Sequence, residues 1–300
     1  MSAINKQNTH IIPVDFQYHQ PETVGEAVKL LEAHPDAKPI AGGTDLVPKM
    51  KQRLLEPRHL VNLKRIRELQ GVEDRGGEVH IGAATKLRAV ERSETVQRRL
   101  PLLYSCVRSI GSVQIRNMGT LGGNVCNASP AADGALGLVA LDATVQVAGP
   151  GGTRTVKAGD FFAGPGKTVL GRGELVTGFT VPVPGPDVGT CFISVGRTAL
   201  DISTISIAVA LRMKGGAVQE ARVALGSVAP TPLRLPEVEN WLKGRELDEA
   251  TVREAAGMVS GGIKPITDIR GTAEYRREAA RGMAMEALTR AGGLEGRSQG

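Results

Sequence analysis

The sequence predicts an α+β protein of about two domains, and three observations carry that prediction. A β-α-β pattern opens the chain over residues 23–63, a Pro-rich break falls at Pro182, Pro184, Gly185 and Pro186, and clean apolar alternation follows from Ile205. Length agrees, since 300 residues at roughly 150 per domain gives two.

Thr23-Val24-Gly25-Glu26 is a Thr-x-x-Glu capping box, and Val24, Ala27, Val28 and Leu31 behind it recur at helical spacing. A helix is therefore expected over 23–33, then a short strand at Pro39-Ile40-Ala41 and another over 59–63. Val79, Ile81 and Ala83 alternate as a strand, and helical periodicity returns through 85–110. Val145 and Val147, the turn Gly149-Pro150-Gly151-Gly152, and Thr155-Val156 make a hairpin. A strand is expected over 174–181, with the domain boundary near 183–190. Beyond it Ile205, Ile207, Val209 and Leu211 form one strand, Lys214-Gly215-Gly216 turns the chain, and Val223 and Leu225 lie on the next. Helices are expected near 236–243, 248–259 and 272–290. The polar arm Met1 to His10 has no secretory h-region, and the tail from Gly292 is expected to be disordered.

A hydrophobic fraction of 41% suffices for real cores, while no apolar run approaches the roughly 20 residues of a membrane span. Three scattered cysteines give no disulfide framework, so a reducing, cytoplasmic setting is the expectation. The net charge of +6 invites a nucleic-acid reading, but aromatics are only 3% and basic residues are dispersed among acids. Lys64-Arg65-Arg67 and Arg276-Arg277-Arg281 therefore read as solvated faces or as a contact surface for an acidic partner.

Two glycine motifs carry the chemistry. In Ala41-Gly42-Gly43-Thr44-Asp45-Leu46, two glycines after a strand permit positive φ and remove the Cβ atoms that would hold a ligand off the backbone. Successive N–H groups can then converge on a phosphate. Alone, this is either a tight strand-to-helix turn or an anion site. Thr120-Leu121-Gly122-Gly123-Asn124 has the same character and continues through Asn127 to Asp133 with small residues and short polar side chains. Such a stretch fits a loop lying along an extended polar ligand. One diphosphate contacted by both loops would explain the pair.

Other sites fail on spacing. No Gly-x-Gly-x-x-Gly joins a strand to a helix near the start, and Gly166-Lys167-Thr168 lacks the phosphate-loop glycine, Phe161 standing in its place. Cys106, Cys126 and Cys191 cannot complete a four-cysteine cluster, and His10, His19, His34, His59 and His80 show no metal spacing. No catalytic acid, base or metal ligand emerges, so redox chemistry would have to come from a bound cofactor.

The motifs together resemble a known family. Ala41-Gly42-Gly43-Thr44-Asp45-Leu46 with Lys51, the run Arg108 to Asn124, and Ala128-Ser129-Pro130 with Asp133 are similar to the FAD-binding medium subunit of the molybdenum hydroxylases, of the aerobic carbon monoxide dehydrogenase and xanthine dehydrogenase type. Further matches are Asp160-Phe161-Phe162 with Thr168 and Leu170, Gly173-Glu174-Leu175, Arg197 with Asp201-Ile202, and the run Asp268 to Arg277. The likeness spans about residues 11–291. Where many members carry a Lys and a second Arg around the Val-Gly-Arg step, this chain has Ser194 and Thr198. It also lacks the cysteine-rich insert of the hydroxybenzoyl-CoA reductase branch, which points to a hydroxylase setting.

The resemblance implies an FAD-binding region of the vanillyl-alcohol-oxidase/PCMH type in two parts, 11–65 and 66–185, and a C-terminal domain over 190–291 with a three-stranded antiparallel sheet and helices. It implies that Ile40, Ala41, Gly42, Gly43, Thr44, Asp45 and Leu46, with Thr120, Gly122, Gly123 and Asn124, hold the diphosphate and its neighbours. Asn127 and Asp133 would lie along the ribityl and adenosine side. Ile110 and Val176 would touch the rings, with Gly111 and Ser112 alongside. No residue is assigned a catalytic acid–base role. The implied partners are a large molybdopterin subunit and a small subunit with two [2Fe–2S] clusters, assembled as a dimer of heterotrimers, with NAD, a quinone or O2 as acceptor. A stand-alone flavin-dependent NAD(P)H oxidoreductase of the same fold is the alternative.

Overall fold

The computed structural model describes residues 12, 14–198 and 200–294. The polar N-terminal arm and residues 295–300 of the tail lie outside the described residues.

The first unit is a three-stranded parallel sheet in the order β1 (Gln17–His19), β3 (His59–Asn62), β2 (Lys38–Ile40), with helix α1 (Val24–Ala33) crossing over it. The helix begins where the sequence places it. The Thr23 hydroxyl accepts from the Glu26 N–H at 3.2 Å, while the Glu26 carboxylate reaches back one residue further than the motif requires, to the Glu22 N–H at 2.9 Å. Ala27, Val28 and Leu31 bury its inner face in a core with Val61, Ile66 and Leu69. Helix α2 (Leu46–Lys51) follows β2 directly after the first glycine motif.

The second unit is a five-stranded antiparallel sheet in the order β4 (Val72–Asp74), β5 (Glu78–Gly82), β10 (Leu175–Pro182), β6 (Thr144–Gly149), β7 (Gly152–Lys157). The hairpin β6–β7 turns where expected, Gly149 pairing with Gly152. Helices pack on this sheet in three short pieces where one helical stretch is expected: α3 (Leu87–Arg92), α4 (Glu94–Arg99) and α5 (Pro101–Arg108). Ser93 breaks the first pair by ending α3 and capping α4, its hydroxyl accepting from Val96. Pro101, which has no N–H to donate, starts α5.

Small-residue segment 119–135 holds helices where a loop is expected. After α6 (Val113–Met118), Thr120 caps α7 (Leu121–Cys126), its hydroxyl accepting from the Gly123 N–H, and α8 (Asp133–Ala140) follows. The glycines serve packing here: a Cβ on Gly122 would stand 2.6 Å from the Ala83 carbonyl oxygen. Every residue of α8 is buried. Between these helices and β10, β8 (Phe162–Gly164) and β9 (Lys167–Thr168) form a separate two-stranded ribbon.

The third unit is a meander of β11 (Val188–Val195), β12 (Ile205–Lys214), β13 (Ala217–Gly226) and β14 (Leu233–Arg234), backed by α9 (Pro236–Leu242), α10 (Glu249–Gly261) and α11 (Ala273–Ala291). Three strands are long and the fourth has only two residues, short enough to escape a period-2 reading. Ile205, Ile207, Val209 and Leu211 face this unit's core, whereas Ala208 on the opposite face packs into the core of the second unit. Alternation in β12 thus marks two buried faces, not one.

Arg276 departs from the solvated-face expectation. It is 1% exposed, and its guanidinium donates to Asp268 and to the Ser227 carbonyl, each at 2.6 Å. No helix among the described residues is long and apolar enough to cross a membrane.

Candidate cofactor cavity

A cavity of about 650 Å³ lies between the first and second units. That volume suits an extended small-molecule ligand. One wall is β2 and the first glycine motif, from Lys38 through Leu46, with Lys49 of α2 behind it. The opposite wall is Ile110, Ile115 and the second glycine motif, contributing Thr120, Gly123, Asn124, Cys126 and Asn127. Leu170 to Glu174 close one end.

The two walls are in direct backbone contact. A Cβ on Gly42 would overlap the Met118 carbonyl oxygen and stand 2.7 Å from the Gly119 Cα. Gly43 takes φ +72°, which turns the chain from β2 into α2, and its carbonyl accepts from the Val47 N–H at 3.0 Å. The N–H groups of Gly42, Gly43, Thr44 and Asp45 meet no acceptor among the described residues. Four successive free donors beside a cavity are what a phosphate requires.

The second motif is built differently. Its N–H groups are consumed inside the protein: Leu121 donates to Thr85, Gly122 to Ala83, Gly123 to the Thr120 hydroxyl and Asn124 to the Thr120 carbonyl. Its backbone therefore does not share a diphosphate on equal terms with the first motif. What it offers the cavity is side chains. Asn124 lines the cavity, while its Oδ1 is buried against Gly134 of α8 with no partner among the described residues. Asn127 bridges the walls, accepting from Lys49 Nζ at 2.7 Å and donating to Asp45 at 3.2 Å. Lys49, unremarked in the sequence, was hidden by its place in an ordinary amphipathic turn.

Five expected residues do not reach the cavity wall. Gly122 faces Ala83, and Val176 is 4% exposed in the core of the second unit. Gly111 and Ser112 form the turn into α6, where Ser112 caps the helix through the Ile115 N–H. Arg116 holds that turn from beneath, donating at 2.9 Å to each of the Ile110 and Gly111 carbonyls while pairing with buried Glu91 at 2.9 Å. Burial alone would raise the Glu91 carboxyl, but hydrogen bonds from Arg88 and Arg116 hold it below its ordinary value. Asp133 is turned toward the third unit: its Oδ2 accepts from Ser109 and Ser203, each at 2.9 Å. Burial raises its carboxyl. A short polar side chain in a small-residue segment reads equally well as ligand contact or as interdomain tie, and here it is the tie.

The closing loop at 170–174 was legible as a strand flank and not as a wall. Gly173 takes φ +75°, and Arg172 fastens the loop to the Glu32 carbonyl at 2.8 Å. Glu174 is held by Arg154 at 2.6 and 2.7 Å, and that pairing lowers its carboxyl below the ordinary range. Three of the histidines that show no metal spacing in sequence, His19, His34 and His59, converge on the first unit, outside the residues that line the cavity.

The residues present fit a flavin dinucleotide: a nest of four free N–H groups for phosphate oxygens, the Asn124 and Asn127 side chains on the facing wall, apolar Ile110 and Ile115, and glycines where a Cβ would force the walls apart.

Comparison with known proteins covers both the cavity-bearing part and the C-terminal unit of the chain. Residues 14–184 match the FAD binding domain in molybdopterin dehydrogenase, and residues 191–291 match the CO dehydrogenase flavoprotein C-terminal domain. The glyceraldehyde dehydrogenase medium chain of Sulfolobus acidocaldarius is 38% identical over 92% of this chain and 98% of that protein. The xanthine dehydrogenase FAD-binding subunit of Escherichia coli O157:H7 is 34% identical over 92% of this chain and 96% of that protein. Among solved structures, a carbon monoxide dehydrogenase from Hydrogenophaga pseudoflava superposes with a TM-score of 0.91 at 39% identity, over 94% of this chain and 98% of that chain. Quinoline 2-oxidoreductase from Pseudomonas putida 86 gives 0.88 at 30% identity, over 93% and 97%. With both of its domains matched in order and its cavity fitted to the dinucleotide, the chain belongs to the FAD-binding medium subunits of the molybdenum hydroxylase family.

Proposed function

We propose that this chain holds one FAD in the cavity between its first two units and serves as the electron-exit subunit of a molybdenum hydroxylase. The large partner would oxidise the substrate at a molybdopterin centre, and [2Fe–2S] clusters on the small partner would carry electrons to this chain. Bound FAD supplies the step between one-electron clusters and a two-electron acceptor such as NAD, a quinone or O2. The observation that carries the reading is the row of unbonded N–H groups from Gly42 to Asp45 facing Asn124 and Asn127 across one cavity.

The chain's own residues bind and orient. Gly42 to Asp45 take phosphate oxygens, and Thr44 adds a hydroxyl donor. Thr120, Gly123 and Asn124 form the facing wall, and Ile110, positioned through Arg116, supplies apolar contact for a ring. Lys49 and Asn127 span the gap between the walls, so both lie within reach of the ligand's polar backbone. None of these groups is a proton donor or acceptor in the chemistry. Substrate choice belongs to the large partner.

Purification of the complex from its native host through an affinity tag on this chain tests the reading. The expected preparation contains two further polypeptides, one with molybdopterin and one with iron–sulfur clusters, at the mass of two heterotrimers. A chain that purifies alone with FAD and oxidises NAD(P)H unaided would overturn it in favour of a stand-alone oxidoreductase.

A further inference from the structure

The first unit carries an all-imidazole cluster that the cofactor cavity does not use. His59 opens β3 and His19 ends β1, and since Gln17 pairs with His59, the two histidines sit two residues apart along neighbouring parallel strands and share a face. His34 caps α1, its N–H donating to the Leu30 carbonyl at 3.1 Å. The His34 and His59 rings stack with centroids 3.8 Å apart at 12°, and His19 lies 5.3 Å from His59. His19 Nε2 and His59 Nδ1 are 3.0 Å apart. One nitrogen from each ring lies within 4.8 Å of the other two, and all three residues are half-buried.

We propose that His19, His34 and His59 form a binding site for one divalent late transition-metal ion of the Zn2+ class, with a fourth position open to water. Imidazole nitrogens are the preferred donors for such ions, and three on one face are the ligand count of an open tetrahedral site. Tetrahedral ligation at about 2.0–2.1 Å sets nitrogens about 3.3 Å apart. The His19–His59 pair is already that close; a His34 nitrogen lies within 4.8 Å, and to ligate, its ring would have to turn out of its stack on His59.

Charge favours the same occupant. The C-terminal end of α1 carries partial negative charge; its own last turn has no basic side chain, and Arg172 offsets it only at the Glu32 carbonyl. A cation on His34 sits against that end. Two features explain why spacing in sequence gave no sign of the site: its ligands come from three segments, and a parallel β-α-β crossover brings them together. The ion would act as a clip, joining β1 at the edge of the sheet to the central strand β3 and to the end of α1, across a 40-residue separation between His19 and His59.

The test uses the untagged full-length chain, stripped with a chelator and titrated with Co2+ alone and with Zn2+ alone. Co2+ should give visible absorption bands of a tetrahedral site saturating at one ion per chain, and Zn2+ should displace it with a dissociation constant on the order of micromolar or tighter. The melting temperature should rise with Zn2+ concentration. His34→Ala and His59→Gln should each weaken Zn2+ binding by about tenfold or more. His34→Ala removes a ring outside the strands, and its FAD content checks that it remains folded. Absence of saturable binding by the wild-type chain at about 1 mM of either ion, where only affinities weaker than about 4 kcal/mol escape detection, overturns the proposal. Binding by both variants equal to wild type overturns it as well.

Discussion

Gly42→Ala should empty the cofactor cavity and destabilise the chain by about 1–3 kcal/mol. The added methyl would overlap the Met118 carbonyl oxygen and come within 2.7 Å of the Gly119 Cα and 2.8 Å of the Met118 carbonyl carbon. All three are backbone atoms, so no side chain can swing aside. The walls must part, and the row of N–H groups from Gly42 to Asp45 moves away from Asn124 and Asn127. Gly43→Ala makes a useful contrast. Its φ of +72° imposes strain of about 1 kcal/mol, but its neighbours are the flexible side chains of Val47 and Ile40 at 3.3 and 3.4 Å. Flavin content after gel filtration, together with urea unfolding, should rank wild type above Gly43→Ala and Gly43→Ala above Gly42→Ala. Equal flavin content in Gly42→Ala and wild type would mean that the added methyl does not part the walls.

Arg276→Met should cost more stability, about 3–5 kcal/mol, and leave the cavity untouched. Arg276 is 1% exposed, and its removal strips a charged partner from Asp268 and a donor from the Ser227 carbonyl. Arg270, bonded to the other Asp268 oxygen at 2.7 Å, keeps part of the network. The same carboxylate sets the acid limb of stability. Hydrogen bonds from Arg270, and then from Arg276, hold the Asp268 carboxyl well below its ordinary value. A depressed carboxyl contributes stability that is fully present above its unfolded pKa, about 3.9, and is lost as pH falls below that value. Wild type should therefore lose this contribution as pH falls below about 4, and Asp268→Asn should show a shallower slope there. Urea unfolding at pH 7, 5 and 3.5 checks both. Parallel slopes for wild type and Asp268→Asn would remove Asp268 from the acid response.

Much of this architecture is legible in the residues. The Thr23 cap and the period of Val24, Ala27, Val28 and Leu31 fix α1, and alternation from Ile205 fixes β12, because each pattern matches one backbone geometry. The pairing of glycine motifs marks the cavity for a related reason, since a wall that must approach another backbone excludes side chains. What stays hidden is tertiary. Small residues from Gly119 to Ala135 serve a loop or a close-packed helix equally, and only the fit of Gly122 against Ala83 decides for the helix. Equivalence of the two motifs fails on hydrogen bonds that Thr120, Thr85 and Ala83 make. Arg276 looks like one member of a solvated basic run until Asp268 and Ser227 are placed around it. His19, His34 and His59 are scattered along the chain and adjacent only in the folded sheet.

The most direct test of the account is FAD stoichiometry in the full-length chain, wild type against Gly123→Asp. A Cβ at Gly123 meets only the Thr120 hydroxyl, at 3.0 Å, so the backbone can accept the substitution while the new carboxylate enters the cavity opposite Gly42 to Asp45. One FAD per wild-type chain is expected. The Gly123→Asp chain should keep its circular dichroism while its FAD affinity falls by at least about tenfold, the equivalent of about 1.4 kcal/mol. A wild-type chain without affinity for FAD, or a folded Gly123→Asp chain that binds FAD as tightly as wild type, would contradict the account.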